Sequence, residues 1–488
     1  MGWIDTTVVL VVMFAVTWLG HYLSGAANTR ASFFRADGTL PWWAVSASII
    51  ATLVSAVTFV SVPAAIFAPG GDLSYLQVIA GLALGKLAIA ALLVKAFYQE
   101  PDAATSYGYI AKRIDPVTGE LSMGLGLILN LINSGVKVLA ASVVLDVITG
   151  WGVPVCAAVV VLVSVFWSAL AGVKTVIWTD FILFVLFCLG AVFTLVFIIF
   201  SVETPVLQAV AQLDQQARLV WLDISLDPTV RYTLFSCLVG GVALNIAQAS
   251  TQGTWQRVKA CRSLADAYRA YNFAAAFYVV HLVIMAVGLA LVIFYSEFPL
   301  AASVVQRLAE QPDVIFPHFI LTEMPVGLSG LFIAAIFAAA ISTLDSALAE
   351  ASDISLHHIY ERLVPGRSEG HYVLSARLLM VFWGIVFWVI TLFFAGYSSQ
   401  GLLDLTFKFP NYVLGGLFGS IVLARLGVGR WQTVLFGLCI AAGITLWLAA
   451  SQVAFFWWCP VSGIAMVAAV YLLEAALPSR TTAPLAGG

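Results

Sequence analysis

Charge is what this sequence has least of. Of its 488 residues, 10% are charged and 62% hydrophobic, with a mean hydropathy of +1.01, whereas a soluble domain carries roughly 25% charged residues. A water-soluble globule is excluded. No basic block is present and the formal net charge is -3, so nothing here would follow a phosphate backbone and nucleic acid is not expected as a partner. Cysteine is also scarce. The six (Cys156, Cys188, Cys237, Cys261, Cys439, Cys459) are scattered without a CxxC pair or metal spacing, and read as small core residues. The six histidines form no metal or catalytic set beyond the adjacent pair His357 and His358 at a helix end, so an enzyme is not expected. The N-terminal run Val8 to Leu23 lacks a basic flank and a small-residue cleavage site, and reads as a first membrane span rather than a signal peptide.

What the sequence does have is long apolar runs. Crossing a hydrocarbon core takes about 20 apolar residues per helix, and a β-barrel would instead alternate in short weak segments. The runs fall at 5–24, 41–68, 74–97, 121–149, 153–172, 176–201, 232–252, 269–296, 323–356, 372–396, 400–424, 431–451 and 454–474. The expected fold is therefore an all-α integral membrane protein of about 13 transmembrane helices, in contact with membrane lipid. Short cytoplasmic loops retain Lys and Arg. An outside N-terminus puts sixteen of the 22 basic residues in loops on one side and three (Arg218, Arg231, Arg307) on the other, with Lys86, Lys137 and Lys408 inside spans. The expected orientation is N-terminus outside and C-terminus cytoplasmic, in a plasma (bacterial inner) membrane. The tail from Pro478 to Gly488 reads as disordered, so function is expected in the membrane body, with a monomer sufficient.

A polar side chain at bilayer depth asks for a partner or a purpose. The run FIAAIFAAAISTLDSALAEASDIS, from Phe332 to Ser355, stacks Ala339, Ser342, Asp345 and Ser346 at helical spacing with Thr343 beside them. Oxygen ligands on one face suit a hard cation; the alternative is that the hydroxyls bond their own i-4 carbonyls and Asp345 pairs with a basic residue. Asp180, in GVKTVIWTDF, can join such a site or cap a helix. The stretch Trp42 to Gly71 is rich in Ser, Thr and Ala and punctuated by Pro63, Pro69 and two glycines, which points to an interrupted helix with backbone carbonyls for a cation and an N-terminus for an anion. The span near 232–252 ends in a similar polar segment, NIAQASTQGTWQR. With the first span an accessory, these two open halves of five helices each. That gives inverted five-helix repeats with interrupted first and sixth core helices. The divisions are 1–40 (accessory helix and loop), 41–201 (first repeat), 202–424 (second repeat with external loops) and 425–488 (two accessory helices and tail).

The segments SASIIATLVSAVTFVSVPAAIF, SALAGVKTVIWTDF, TWQRVKACRSLADA, AAIFAAAISTLDSAL and LDLTFKFPNYVLGGLFGSIVLARL, in order over about residues 30–425, resemble the sodium:solute symporter family of sodium-coupled sugar, proline, pantothenate and sialic acid carriers. The resemblance implies sodium as the coupling ion, held by Ala51, Val54, Ala339, Ser342 and Thr343. In some members a second polar cluster follows, matched here by Asp180, Ser342, Asp345 and Ser346. Asp345 stands where those members have a hydroxyl, which leaves stoichiometry and a proton-coupled step open. Substrate positions carried over are Ser55, Thr58 and Gln77; Thr58 and Gln77 argue against a hexose and toward an organic anion or sialic-acid-like solute. Asn133 and Lys137, one turn apart, supply a cation for a carboxylate, although Lys137 has an equal reading as a salt bridge. Asn245, Gln248 and Tyr278 complete the expected pocket wall, Lys408 is assigned to scaffold or gate, and Arg257 of the WQR motif to tying helices together. The expected function is sodium-coupled symport of a small polar solute by alternating access; a proton-coupled carrier and a transporter-like sensor are the alternatives.

Overall fold

The structure is a computed structural model that describes residues 2–24, 38–53, 56–100, 105–170, 173–397 and 401–477. Among these, all regular structure is helical apart from an isolated bridge between Leu40 and Cys261. Among the described residues nine helices are long and apolar enough to cross a membrane, and up to eleven if each of two bent pairs counts as one span. The runs at 5–24 and 153–172 are represented, among the described residues, by the shorter apolar helices Trp3–Val16 and Val153–Ser168. A multi-pass membrane protein is the result.

In chain order the long helices are α1 (Trp3–Ser24), α2 (Trp42–Leu53), α3 (Ala56–Phe67), α4 (Tyr75–Tyr98), α5 (Pro116–Thr149), α6 (Val153–Leu170), α7 (Val173–Ser201), α8 (Leu234–Ala249), α9 (Gln252–Ala260), α10 (Leu264–Glu297), α11 (Leu328–Ser355), α12 (Glu369–Ala395), α13 (Leu402–Leu426), α14 (Trp431–Ala450) and α15 (Phe455–Ala476). Local sequence explains several boundaries. Pro116 sits in the first turn of α5, where a missing N–H costs nothing, the N-cap Asp115 accepts from the Thr118 amide at 2.9 Å, and Gly150 ends the helix in the left-handed region at φ 68°.

Two groups of helices pack within themselves. The first joins α2 and α3 to α10, and α4 to α8 and α10; the second joins α5, α6, α11 and α12 to one another. Helices α4 and α8 approach closely, and a Cβ on Gly81 would fall 1.9 Å from the Cys237 carbonyl oxygen. Only glycine fits there, and small residues are how helices without a hydrophobic drive between them gain van der Waals contact. The accessory helix α1 reaches α11 through Asp5, whose buried carboxylate accepts from the amides of Gly327 (2.7 Å) and Gly330 (3.2 Å) and so caps α11.

Candidate functional site

The two bent pairs place polar backbone inside the body. Trp42–Ala51 and Ala56–Phe67 meet at 52°, and Leu234–Ala249 and Gln252–Ala260 at 75°. Carbonyls freed by a bend must find partners where water is excluded. At the second bend hydroxyls provide them: Ser250 Oγ donates to the Ala247 carbonyl (2.7 Å) and Thr251 Oγ1 to that of Gln248 (2.8 Å). The far end of α3 is closed from a loop, where the Arg218 guanidinium donates to the carbonyls of Ile66 (2.8 Å), Ala68 (2.5 Å) and Gly71 (3.0 Å).

Between the two helix groups lies a cavity of about 190 Å³ whose wall includes Thr58, Lys86, Asn133, Lys137, Gln248, Arg257, Tyr278, Thr343, Ser346 and Glu350. A second cavity, of about 440 Å³, is lined by Asp72, Arg231, Asp313 and Asp404. Tyr75 and Leu403 line both and so form the partition between them. Tyr75 is part of an aromatic layer with His281 and Phe407, each with its ring centroid 6.5 Å from that of Tyr75.

The opposite end is closed by charge. Arg257 donates from Nε to Ser48 Oγ at 3.2 Å and approaches Asp180 Oδ2 at 3.7 Å, while Ser48 donates to the same carboxylate oxygen at 2.5 Å. One arginine on α9 thereby holds α2 and α7, as its WQR motif led us to expect. Glu350 accepts from the Gln252 amide at 2.9 Å and occupies the N-terminus of α9. A half-helix N-terminus at the second bend, a natural place for a solute anion, is thus taken by a carboxylate of the chain itself. Asp353 draws in Gln252 (2.7 Å), Gln256 (3.1 Å) and His357 (2.8 Å).

Of the expected sodium ligands, Val54 lies outside the described residues, as does the side chain of Ser342. Ala51 ends the first half of the first bent pair and is buried, and Ala339 and Thr343 are buried on α11, which packs against α2. Thr343 Oγ1 donates to the Ala339 carbonyl at 2.7 Å, the i-4 bond left open by the sequence. That bond uses the hydroxyl's one hydrogen and leaves its lone pairs for an acceptor's role. In the second cluster the carboxylates have separate partners: Asp180 has Ser48 and Arg257, whereas Asp345 accepts from Ser168 on α6 at 2.8 Å, and Ser346 faces the cavity.

Of the expected substrate residues, Thr58, Asn133, Lys137 and Gln248 line the cavity, and Ser55 lies outside the described residues. Gln77 and Asn245 are elsewhere. The Gln77 amide donates to the Tyr232 carbonyl (3.0 Å) and accepts from the Asp223 amide (3.1 Å), pinning a loop to α4. Asn245 donates to the carbonyls of Gly241 (2.9 Å) and Leu82 (3.3 Å), joining α8 to α4. Two charged residues on the cavity wall were given no role in the sequence reading, Lys86 and Glu350. Lys86 was visible as the lone charge in YLQVIAGLALGKLAI, a signal that should have put it beside Lys137.

Bent helices around a polar, charge-lined cavity inside a multi-spanning body define a carrier that opens the same site to two sides. The sodium:solute symporter family model matches residues 33–431, and the chain belongs to that family. It is 29% identical over 374 residues to the sodium/sialic acid symporter SiaT of Proteus mirabilis, which covers 74% of this chain and 72% of that protein. It is 24% identical over 470 residues to the sodium/sialic acid symporter NanT of Aliivibrio fischeri, covering 94% and 90%. The fold is that of a solved sodium-coupled sialic acid symporter, substrate-bound and outward-open, with a TM-score of 0.83, 24% identity and 98% of each chain covered. This protein is thus a sodium-coupled symporter of a small polar solute, and not an enzyme.

Proposed function

We propose that the solute is a small organic anion of the sialic acid kind, bound in the cavity between the two helix groups and carried inward with sodium. The observation that supports this is one cavity lined by both kinds of ligand: Thr58 of α3 and Thr343 of α11, and Asn133 and Lys137 of α5. Sodium is assigned to Ala51, Val54, Ala339, Ser342 and Thr343. Carbonyls and hydroxyl lone pairs suit a hard cation, and the Thr343 hydroxyl, its hydrogen already donated, offers lone pairs alone. Asp180 is committed to Arg257, so no second cation is included in the proposal. The architecture that goes with this reading counts both bent pairs and both shorter helices as spans, thirteen in all, with α1 outside the inverted repeats and the α9 end of the cavity cytoplasmic. The relatives SiaT and NanT, whose solute is a carboxylic acid, lend it support.

Sodium and solute act together because each favours the same arrangement of the two helix groups over the other. Sodium at the first bend holds α2 and α3 against α11, which completes the cavity from which the solute is bound. The test is uptake in proteoliposomes with Ser342→Ala and Thr343→Ala. Both should raise the sodium concentration for half-maximal uptake; unchanged sodium dependence in both would sink the assigned site.

A further inference from the structure

Lys86 is a buried lysine for which the described residues supply no counter-charge. It lies on α4 at 6% exposure and contributes to the wall of the central cavity. No hydrogen bond or ion pair reaches it among the described residues. Its sequence neighbour Gly85 packs closely on Asn245, about one turn from the α8–α9 bend. The like charge of Arg257 acts on both Lys86 and Lys137, and only Lys137 has the opposite charges of Glu350 and Asp180 to offset it. A cation held at membrane depth without an acid is costly. An anion in the cavity would remove that cost, and it would gain from Arg257 as well.

The two lysines also differ in what carries them. Lys86 belongs to the helix group of α2, α3, α4, α8 and α10, and Lys137 to that of α5, α6, α11 and α12. We propose that Lys86 is the ion-pair partner of the solute's anionic group, and that the solute, held there while its polar remainder meets Asn133 and Lys137, bridges the two helix groups. This rests on the reading of the solute as an organic anion. A bridge of this kind favours the arrangement in which the groups stand close, which is how binding can drive the change of access.

The experiment is sodium-driven uptake in proteoliposomes of four probes, sialic acid, lactate, iodide and neutral glucose, by the wild type and by Lys86→Met, Lys86→Gln and Lys86→Arg. One of the anions is expected to be taken up, with its half-saturation raised at least tenfold in Lys86→Met and Lys86→Gln and restored to within threefold in Lys86→Arg. The sodium half-saturation should move less than threefold. Lys86→Gln carries the result if Lys86→Met does not purify as a monodisperse protein. An anion taken up with the same half-saturation by the charge-neutral variants overturns the role of Lys86 while leaving the anion reading intact. Uptake of glucose alone, or of none of the anions, overturns the anion reading and this inference with it.

Discussion

The two ends of the central cavity are closed by different chemistry. At the Tyr75 end the barrier is a layer of rings, Tyr75, His281 and Phe407, backed by an ion pair between Arg231 and Asp404 (2.8 Å) that is half in solvent. At the α9 end it is a buried set of charges in which Arg257, Asp180 and Glu350 join α9 to α2, α7 and α11. Rings slide past one another at small cost, whereas a buried charge cannot leave its partner without leaving that partner stranded. The comparison suggests that the α9 end sets the larger barrier and the Tyr75 end the easier one.

Variants at each end can break or sharpen that contrast. Arg257→Met should have the largest effect, because it strips the buried Asp180 of its guanidinium; we expect a loss of about 3 kcal/mol in thermal unfolding and abolished uptake. A melting temperature equal to the wild type would show that the α9 end is not held by charge. Tyr75→Ala joins the two cavities, and should cost about 2 kcal/mol, below the usual penalty for truncating a buried aromatic because the hole opens to the outer cavity. Labelling of a cysteine placed at Thr58 by an impermeant reagent should rise at least fivefold in that background, by the rough scale of losing a barrier of 1 kcal/mol. Glu350→Gln keeps an acceptor for the Gln252 amide while removing the charge, so its expected cost is smaller, about 1 kcal/mol. Its uptake should fall through Lys137, measured as a higher half-saturation for the anion. Arg231→Gln should matter least. Its side chain is 55% exposed, and such pairs contribute about 0–1 kcal/mol, screened by salt. A larger loss, insensitive to salt, would make the two ends alike.

Much of the molecule could be read from its residues. The scarcity of charge and the length of the apolar runs require helices across a membrane, because only a helix satisfies its own backbone there. The polar segment after Asn245 announced the second bend, whereas the first falls between Ala51 and Ala56, ahead of Pro63, which sits inside α3. The motif at Thr343, and Arg257 as a tie between helices, were legible too, since each depends on local spacing or on a residue type with one plausible use at that depth.

Tertiary structure alone decided what each polar side chain meets. Gln77 and Asn245 are amides on helices that border the cavity, yet both are spent on backbone carbonyls and amides of neighbouring segments. Asp180 and Asp345, a pair in the sequence reading, are divided between Arg257 and Ser168. Lys86 and Lys137 look alike as single cations in apolar runs, and what separates them is that Glu350 and Asp180 act on Lys137, while among the described residues no acid acts on Lys86. Helical periodicity states which face a side chain is on, but its partner comes from another helix a hundred or more residues away. That meeting is set by how the two groups pack, which no local pattern records.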